Sequence, residues 1–187
     1  MAYGIEKLID DYSDNLIRVL QDEKPENIAT LCKSLKVCKD NNKQVFICGN
    51  GGSAANATHI ANDFMYIDGV FDSSVRVESL TSNNAIMSCV ANDLCYGDVF
   101  SKQLEVKADS GDVLLALSGS GNSENIIKAI EYGNAIGMET FAILGFNGGT
   151  CKSIAKHPIH FSVDDMQVSE DLQLIVGHIC MKYLKSS

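Results

Sequence analysis

Residues 45–64, VFICGNGGSAANATHIANDF, place a short apolar run, a glycine-rich turn and a helical pattern in direct succession. Strand, turn and helix in this order are typical of parallel α/β folds, in which ligands bind where strands turn into helices. Glycines let the backbone approach a ligand closely, and the free N–H groups of the next helix favour an anion. His59 and Asp63 lie four residues apart on that helix. The stretch therefore predicts a ligand-binding turn followed by two side chains on one helix face.

Short apolar runs alternate along the chain with segments that have helical spacing. The predicted strands are QVFIC (44–48), SVRVESL (74–80), DVLLALS (112–118), ETFAILG (139–145) and HPIHFSV (157–163). Two helices are predicted within 3–41, divided near residues 23–26, and a closing helix is predicted over 165–185. This alternation predicts a parallel sheet covered by helices on both faces, in a single domain spanning 1–187.

Composition and charge exclude several classes of partner. The formal net charge is -9, so a nucleic-acid backbone or an anionic membrane would be repelled overall. No apolar run approaches the roughly 20 residues needed to cross a bilayer, and the first residues lack a signal-peptide pattern. The seven cysteines form no Cys-x-x-Cys pair and are expected to be free thiols. We therefore expect a cytoplasmic protein with no nucleic-acid or membrane partner.

A second unusual turn, SGSGNS at residues 118–123, follows the apolar run DVLLAL. Three serines and an asparagine within six residues exceed what one helix cap requires, although a merely capped glycine turn is the alternative. Neither this turn nor the first matches G-x-x-x-x-G-K-[ST] or G-x-G-x-x-G. The pattern favours a phosphate group that is not part of a nucleotide.

The stretches CGNGGSAANATHIANDF, SCVANDLCYGDVFSKQLE and GDVLLALSGSGNSENIIKAIEYG resemble the SIS (sugar isomerase) domain family, in its phosphoheptose isomerase branch. The resemblance covers nearly the whole chain. It implies a three-layer α/β/α sandwich with a five-stranded parallel sheet, and a homotetramer with sites between subunits and the helices of residues 1–41 at the interface. It also implies conversion of sedoheptulose 7-phosphate to D-glycero-D-manno-heptose 7-phosphate for cell-surface (lipopolysaccharide or capsule) heptose synthesis.

The resemblance also assigns roles to individual residues. A phosphate cradle is implied for Ser118, Gly119, Ser120 and Ser123. A sugar-contacting loop is implied for Asn50, Gly51, Gly52 and Ser53. Asn92 and Asp93 match a pair that orients the substrate, and Gln173 matches a residue that contacts metal or substrate from the closing helix.

Some members of the family bind zinc, which makes zinc the expected cofactor. His59 matches the first ligand, Asp63 stands where many members carry Glu, and Gln173 and His178 are the further candidate ligands. Independently, an aldose–ketose isomerase needs one group to remove a carbon-bound proton and another to serve the oxygens. Asp63 and His178 are the candidates for these roles. A metal site and a metal-free His–carboxylate pair both suit the spacing of His59 and Asp63.

One departure from the family pattern concerns the closing helix. The best-known members carry a histidine eight residues after the position of Gln173, where this chain has Met181. The nearest histidine, His178, is about 140° from Gln173 on an ideal helix. Two roles for His178 stay open. Either it enters the site of another subunit, or it supports the residues of the site in its own subunit. A non-catalytic phosphosugar-binding or assembly-factor SIS protein is the alternative function.

Overall fold

The computed structural model describes residues 4–67, 69, 71 and 74–186. Within this part of the chain, five parallel strands form one sheet in the order β2-β1-β3-β4-β5. The strands are β1 Gln44–Gly49, β2 Arg76–Ser79, β3 Val113–Ser118, β4 Glu139–Leu144 and β5 His157–His160. The predicted α/β fold with a five-stranded parallel sheet is confirmed. Strand β5 ends earlier than predicted, because the chain then turns so that Val163 accepts a hydrogen bond from the Phe146 N–H at 2.9 Å.

Helices cover both faces of this sheet. They are α1 Ile5–Asp22, α2 Pro25–Asp40, α3 Gly52–Met65, α4 Asn84–Asp93, α5 Ser101–Lys107, α6 Glu124–Ile136, α7 Cys151–Ile154 and α8 Met166–Ser186, with a 3-10 turn at Tyr96–Asp98. The predicted break between the first two helices is confirmed, and Pro25 begins α2 because proline suits the first turn of a helix. None of the helices in the described ranges has the length and apolar character that a bilayer crossing requires.

The central strand β3 shows how the core is divided. Its residues are buried throughout, and successive side chains enter opposite layers. Val113, Leu115 and Leu117 pack with residues of α2, α3 and α8, whereas Leu114 and Ala116 pack with residues of α5 and α6. An uninterrupted apolar run is therefore required, because helices cover the strand on both sides.

The strand order also determines where a ligand can bind. From β1 the chain continues to β2 on one side, whereas from β3 it continues to β4 on the other side. The connections that leave β1 and β3 thus diverge, which opens a crevice beyond the carboxyl ends of these two strands. The two glycine-rich turns singled out in the sequence are the segments that follow β1 and β3.

Helix α1 is only partly covered by the rest of the chain. Tyr12, Leu16 and Leu20 pack against the core, and the Tyr12 hydroxyl donates a hydrogen bond to Asp171 at 2.6 Å. Desolvation, with this hydrogen bond and the nearby negative charge, raises the pKa of Tyr12 to about 12. Other apolar side chains of α1 are exposed, and Ile5 and Ile9 are 61% and 59% exposed.

Candidate active site

A cavity of about 260 Å³ lies in the crevice between the turns that follow β1 and β3. Its lining residues are Asn50, Gly51, Gly52, Ser53, Leu117, Ser118, Gly119, Ser120, Ser123, Met166 and Glu170. All the residues predicted for the phosphate cradle and for the sugar loop are among them. The structure therefore brings these two predicted groups together, at the position that the strand order indicates.

The phosphate cradle is held in place by its own backbone. Ser118 Oγ accepts a hydrogen bond from the Gly121 N–H at 3.0 Å, and Ser120 Oγ accepts one from the Asn122 N–H at 3.3 Å. A hydroxyl that accepts such a bond still has its own proton to donate. Ser123 occupies the N-cap of α6 but makes no side-chain capping bond. The three hydroxyls are thus able to donate to an anion at the beginning of α6.

The sugar loop favours glycine at residue 51 and has a close side-chain contact at residue 52. Gly51 has a φ of 56°, a conformation that favours glycine, and it is the N-cap of α3. A side chain at residue 52 would overlap the carboxylate of Glu170, which lies against the Gly52 backbone. Asn50 exchanges two amide hydrogen bonds of 2.9 Å with Asn125. The loop is therefore fixed both by helix α8 and by helix α6.

Gln173 supports the same loop. Its Nε2 donates to Ser53 Oγ at 3.0 Å, and its Oε1 accepts from Asn56 Nδ2 at 3.0 Å. The side chain is only 1% exposed. Because both ends of the amide already have partners, this arrangement favours a role for Gln173 in positioning Ser53. Its prediction as a metal ligand finds no support in the contacts of one subunit.

The histidines and the carboxylate form a separate group, the His–Asp–His cluster of His59, Asp63 and His178. His59 Nε2 lies 3.2 Å from His178 Nε2. Asp63 Oδ2 lies 3.4 Å from each of these nitrogens. Two nitrogens and an oxygen in this arrangement are compatible with a metal ion. The side chain of His59 is 51% exposed and that of Asp63 is 19% exposed, so the cluster is open to solvent in one subunit.

The cluster shows which contacts His178 of the closing helix makes within its own chain. His178 contacts His59 and Asp63 of its own chain. Met181 is partly buried against the core, and so the absence of a histidine there removes nothing from this group. Counting eight residues back from His178 leads to Glu170, which lines the cavity. The expected spacing therefore fits Glu170 and His178, and not Gln173 and Met181.

Several residues of the site escaped the sequence analysis. Glu170 is the one that lines the cavity directly. Its spacing of eight residues from His178 was the signal that could have identified it. Asn56 donates a hydrogen bond to Gln173, and Asn125 donates one to Asn50. No local sequence motif indicates these bonds. The Tyr96 hydroxyl donates to Asn50 Oδ1 at 3.1 Å from the turn before α5.

Asn92 and Asp93 lie at the end of α4, outside the residues that line the cavity. Both are exposed, and Asn92 Nδ2 donates to Asp93 Oδ1 at 2.8 Å. This bond, and a second one from Cys89, hold the pKa of Asp93 below its usual value. The proposed role of the pair in orienting a substrate stays a prediction.

Comparison with known proteins identifies the family to which the chain is similar. The family model for the SIS domain matches residues 10–145. The chain is 36% identical over 137 residues to the phosphoheptose isomerase of Clostridium acetobutylicum, covering 73% of this chain and 70% of that protein. It is also 36% identical over 154 residues to that of Akkermansia muciniphila, covering 82% and 80%.

A solved structure extends the comparison to the whole fold. The phosphoheptose isomerase from Neisseria gonorrhoeae superposes with a TM-score of 0.89 at 24% identity, covering 98% of this chain and 100% of that one. At 24% identity, this structural match shows a shared architecture and nothing more. The sequence matches go further, and the chain belongs to the SIS domain family, in its phosphoheptose isomerase branch.

Proposed function

We propose that the protein is an aldose–ketose isomerase that converts sedoheptulose 7-phosphate to D-glycero-D-manno-heptose 7-phosphate. The observation that carries this proposal is the cavity in which the phosphate cradle faces the sugar loop. Hydroxyl donors and a helix N-terminus suit the phosphate, and the adjoining loop suits a polyhydroxylated chain. The relatives named phosphoheptose isomerase support the same substrate.

The His–Asp–His cluster provides the groups that the reaction needs. In an aldose–ketose isomerisation a proton leaves C1 of the ketose and a proton is added at C2, while the oxygens on these carbons exchange protons. Asp63 Oδ2 faces the two histidines, and Oδ1, which accepts a long hydrogen bond of 3.4 Å from Asn62 Nδ2, is the base for the carbon-bound proton. Without a metal on its Nε2, His178 exchanges protons with the substrate oxygens. These ionisable groups favour the enzyme over a non-catalytic binding or assembly protein.

Zinc fits the cluster by its donor atoms and by their spacing. Ligands of a tetrahedral zinc ion with bonds of about 2.0–2.1 Å lie about 3.3 Å from one another. The separations in the structure are 3.2 Å between the two histidine nitrogens and 3.4 Å from each of them to Asp63 Oδ2. His59, Asp63 and His178 would hold the ion, and when bound it would supply a Lewis acid for the developing oxyanion.

The distance between the cavity and the His–Asp–His cluster supports an oligomeric assembly. Glu170 lines the cavity and His178 belongs to the cluster, and eight residues of α8 separate them by about 12 Å. The apolar face of α1, including Ile5 and Ile9, is exposed in one subunit. We propose a homotetramer in which α1 and α2 form part of the interface and one subunit's phosphate cradle faces another's cluster.

A cytoplasmic location and a role in cell-surface heptose synthesis complete the proposal. All seven cysteines are free, and five of them are buried. Thiols of this kind suit a reducing compartment, in which sugar phosphates are also metabolised.

Incubation of the purified protein with sedoheptulose 7-phosphate, with and without zinc, tests the function. The expected result is formation of a seven-carbon aldose phosphate, identified by product analysis, at a rate that depends on zinc. A protein that binds the sugar phosphate but never forms an aldose would instead support the non-catalytic alternative.

A further inference from the structure

Cys32 on α2 and Cys180 on α8 form a pair of thiols that takes no part in the proposed reaction. Their sulfur atoms lie 3.6 Å apart, although 148 positions separate the two residues in the sequence. Both side chains belong to the core layer formed with α2, α3 and α8. A disulfide bond is about 2.05 Å long, so the two sulfurs would have to approach each other by only about 1.5 Å. Rotation of a cysteine side chain about its Cα–Cβ bond can move a sulfur that far.

The two thiols differ in how easily a small oxidant can reach them. Cys180 is fully buried, whereas Cys32 is 5% exposed and lines a groove between α2 and α8. This groove has a volume of about 330 Å³, and its walls are mainly apolar side chains such as Ile28, Ile179 and Tyr183. Hydrogen peroxide is small and uncharged, and it can enter such a groove. The hydrogen bond with Cys180 also lowers the pKa of Cys32 below its usual value, and a thiolate is the form that reacts with a peroxide.

We propose that Cys32 and Cys180 are an oxidation site at which a peroxide produces a reversible disulfide between α2 and α8. In the first step the Cys32 sulfur attacks a peroxide oxygen, the O–O bond breaks, and Cys32 becomes a sulfenic acid as one water is released. In the second step the Cys180 sulfur attacks the Cys32 sulfur, the S–O bond breaks, and a second water leaves. The two thiols thereby give two electrons and two protons to the peroxide. Exchange with a reducing thiol restores both cysteines.

The bond would fasten the part of α8 that carries His178. His178 precedes Cys180 by two residues and contacts His59 on α3, so α8 would be tied covalently to α2 beside the His–Asp–His cluster. Because the bond joins residues 148 positions apart, it restricts the unfolded chain strongly and so favours the folded one. In a reducing compartment such a bond is transient, which is typical of redox-responsive cysteines. The site is independent of whether the protein is an isomerase.

The experiment treats the folded, reduced wild type with hydrogen peroxide, alkylates the remaining thiols and maps the disulfides by mass spectrometry of a non-reduced digest. We expect an intrachain bond between Cys32 and Cys180 that a dithiol reductant removes. The oxidised wild type should unfold at a temperature about 5 °C or more above that of the reduced protein. Cys38→Ala removes another buried thiol from α2 and is the matched control, which should form the bond as the wild type does.

Single substitutions test the order of the two steps. In Cys180→Ala, peroxide should leave Cys32 as a sulfenic acid, which a 1,3-dicarbonyl reagent labels. In Cys32→Ala, Cys180 should stay unlabelled because it is fully buried, and peroxide should not raise the unfolding temperature. Bonds through the exposed Cys89 would appear in the same digests as links between chains, and in both variants.

Three outcomes would overturn the proposal. The first is a folded wild type in which Cys32 and Cys180 both stay free after peroxide treatment, whatever the two variants do. The second is labelling of Cys180 in Cys32→Ala as fast as that of Cys32 in Cys180→Ala, which would contradict the order of attack. The third is an oxidised wild type that carries the bond and unfolds at a lower temperature than the reduced protein, which would show that the native packing of α2 and α8 does not accommodate it.

Discussion

The phosphate cradle and the His–Asp–His cluster differ in how they are built. The cradle comes from six consecutive residues, from the last residue of β3 to the N-cap of α6, and backbone N–H groups fix Ser118 and Ser120. The cluster joins residues that are 119 positions apart in the sequence, on the helices α3 and α8. The cradle is thus a property of one turn, whereas the cluster exists only when two helices pack side by side.

We therefore expect the two regions to have separate roles, the phosphate cradle in binding and the His–Asp–His cluster in catalysis. Glycine and serine in the cradle offer neutral donors that hold an anion and have no proton to transfer near neutral pH. The cluster offers groups that can change protonation or bind a metal, at a more exposed position. Changes in the cluster should therefore abolish turnover without abolishing binding, and changes in the cradle should abolish binding itself.

The largest effect is expected from His59→Ala and Asp63→Asn. Each should lower the isomerase rate about 10²- to 10⁴-fold, the range for loss of a general acid–base group. Inorganic phosphate should keep its Kd, because His59 and Asp63 lie on α3 and outside the residues that line the cavity, whereas the phosphate cradle lies between β3 and α6. Rates and calorimetric affinities on the same samples measure the contrast. Full isomerase activity in both variants would show that the cluster is not the catalytic centre.

Metal content measured beside these rates distinguishes the two chemistries of the cluster. With zinc bound, both variants should lose metal together with activity, and a chelator should inactivate the wild type until zinc is restored. Without a metal, Asp63 acts as the base and His59 orients it, and neither variant should change the metal content. Phosphate binding that also requires zinc would contradict the separation of the two regions.

A smaller but still large effect is expected from Ser120→Asp. The new carboxylate would lie beside Ser118 and Ser123, where we propose that the phosphate binds, and like charges in the same small cavity repel strongly. Affinity for sugar phosphate should fall at least about 100-fold, and Ser120→Ala should cost only about tenfold, near the value of one hydrogen bond. Calorimetry checks both. Unchanged affinity in Ser120→Asp would place the phosphate elsewhere.

The same contrast explains what the sequence could and could not predict. The strands, the two glycine turns and the phosphate cradle follow from apolar runs and local motifs, and the structure brings them together in one cavity. The role of His178 does not follow, because it depends on how α8 packs against α3. Gln173 was expected among the metal ligands, and its hydrogen bonds to Ser53 and Asn56 became visible only with that packing.

Weakening the proposed tetramer tests whether the phosphate cradle of one subunit meets the His–Asp–His cluster of another. The expected effect is of intermediate size. Ile9 is 59% exposed on α1, and Ile9→Asp should weaken a tetramer that buries it. If one subunit's cradle faces another's cluster, activity should fall about tenfold or more at concentrations where light scattering shows dissociation. Val106→Asp on α5 is the control, since Val106 is 84% exposed and outside the proposed interface. A fully active monomer would contradict the shared site.

The smallest effect is expected from Met181→His, which installs the histidine that the sequence pattern appeared to lack. His178 already contacts His59, so a second histidine three residues later has no place in the cluster. Met181 packs against the hydrophobic core, where an imidazole would be buried without a known partner. We expect isomerase activity within about twofold of wild type and a loss of about 1–3 kcal/mol in the free energy of unfolding. Activity measured well below the unfolding temperature, beside urea unfolding, separates these effects. A marked rise in turnover would mean that position 181 does reach the reacting groups, and that the assignment of His178 is wrong.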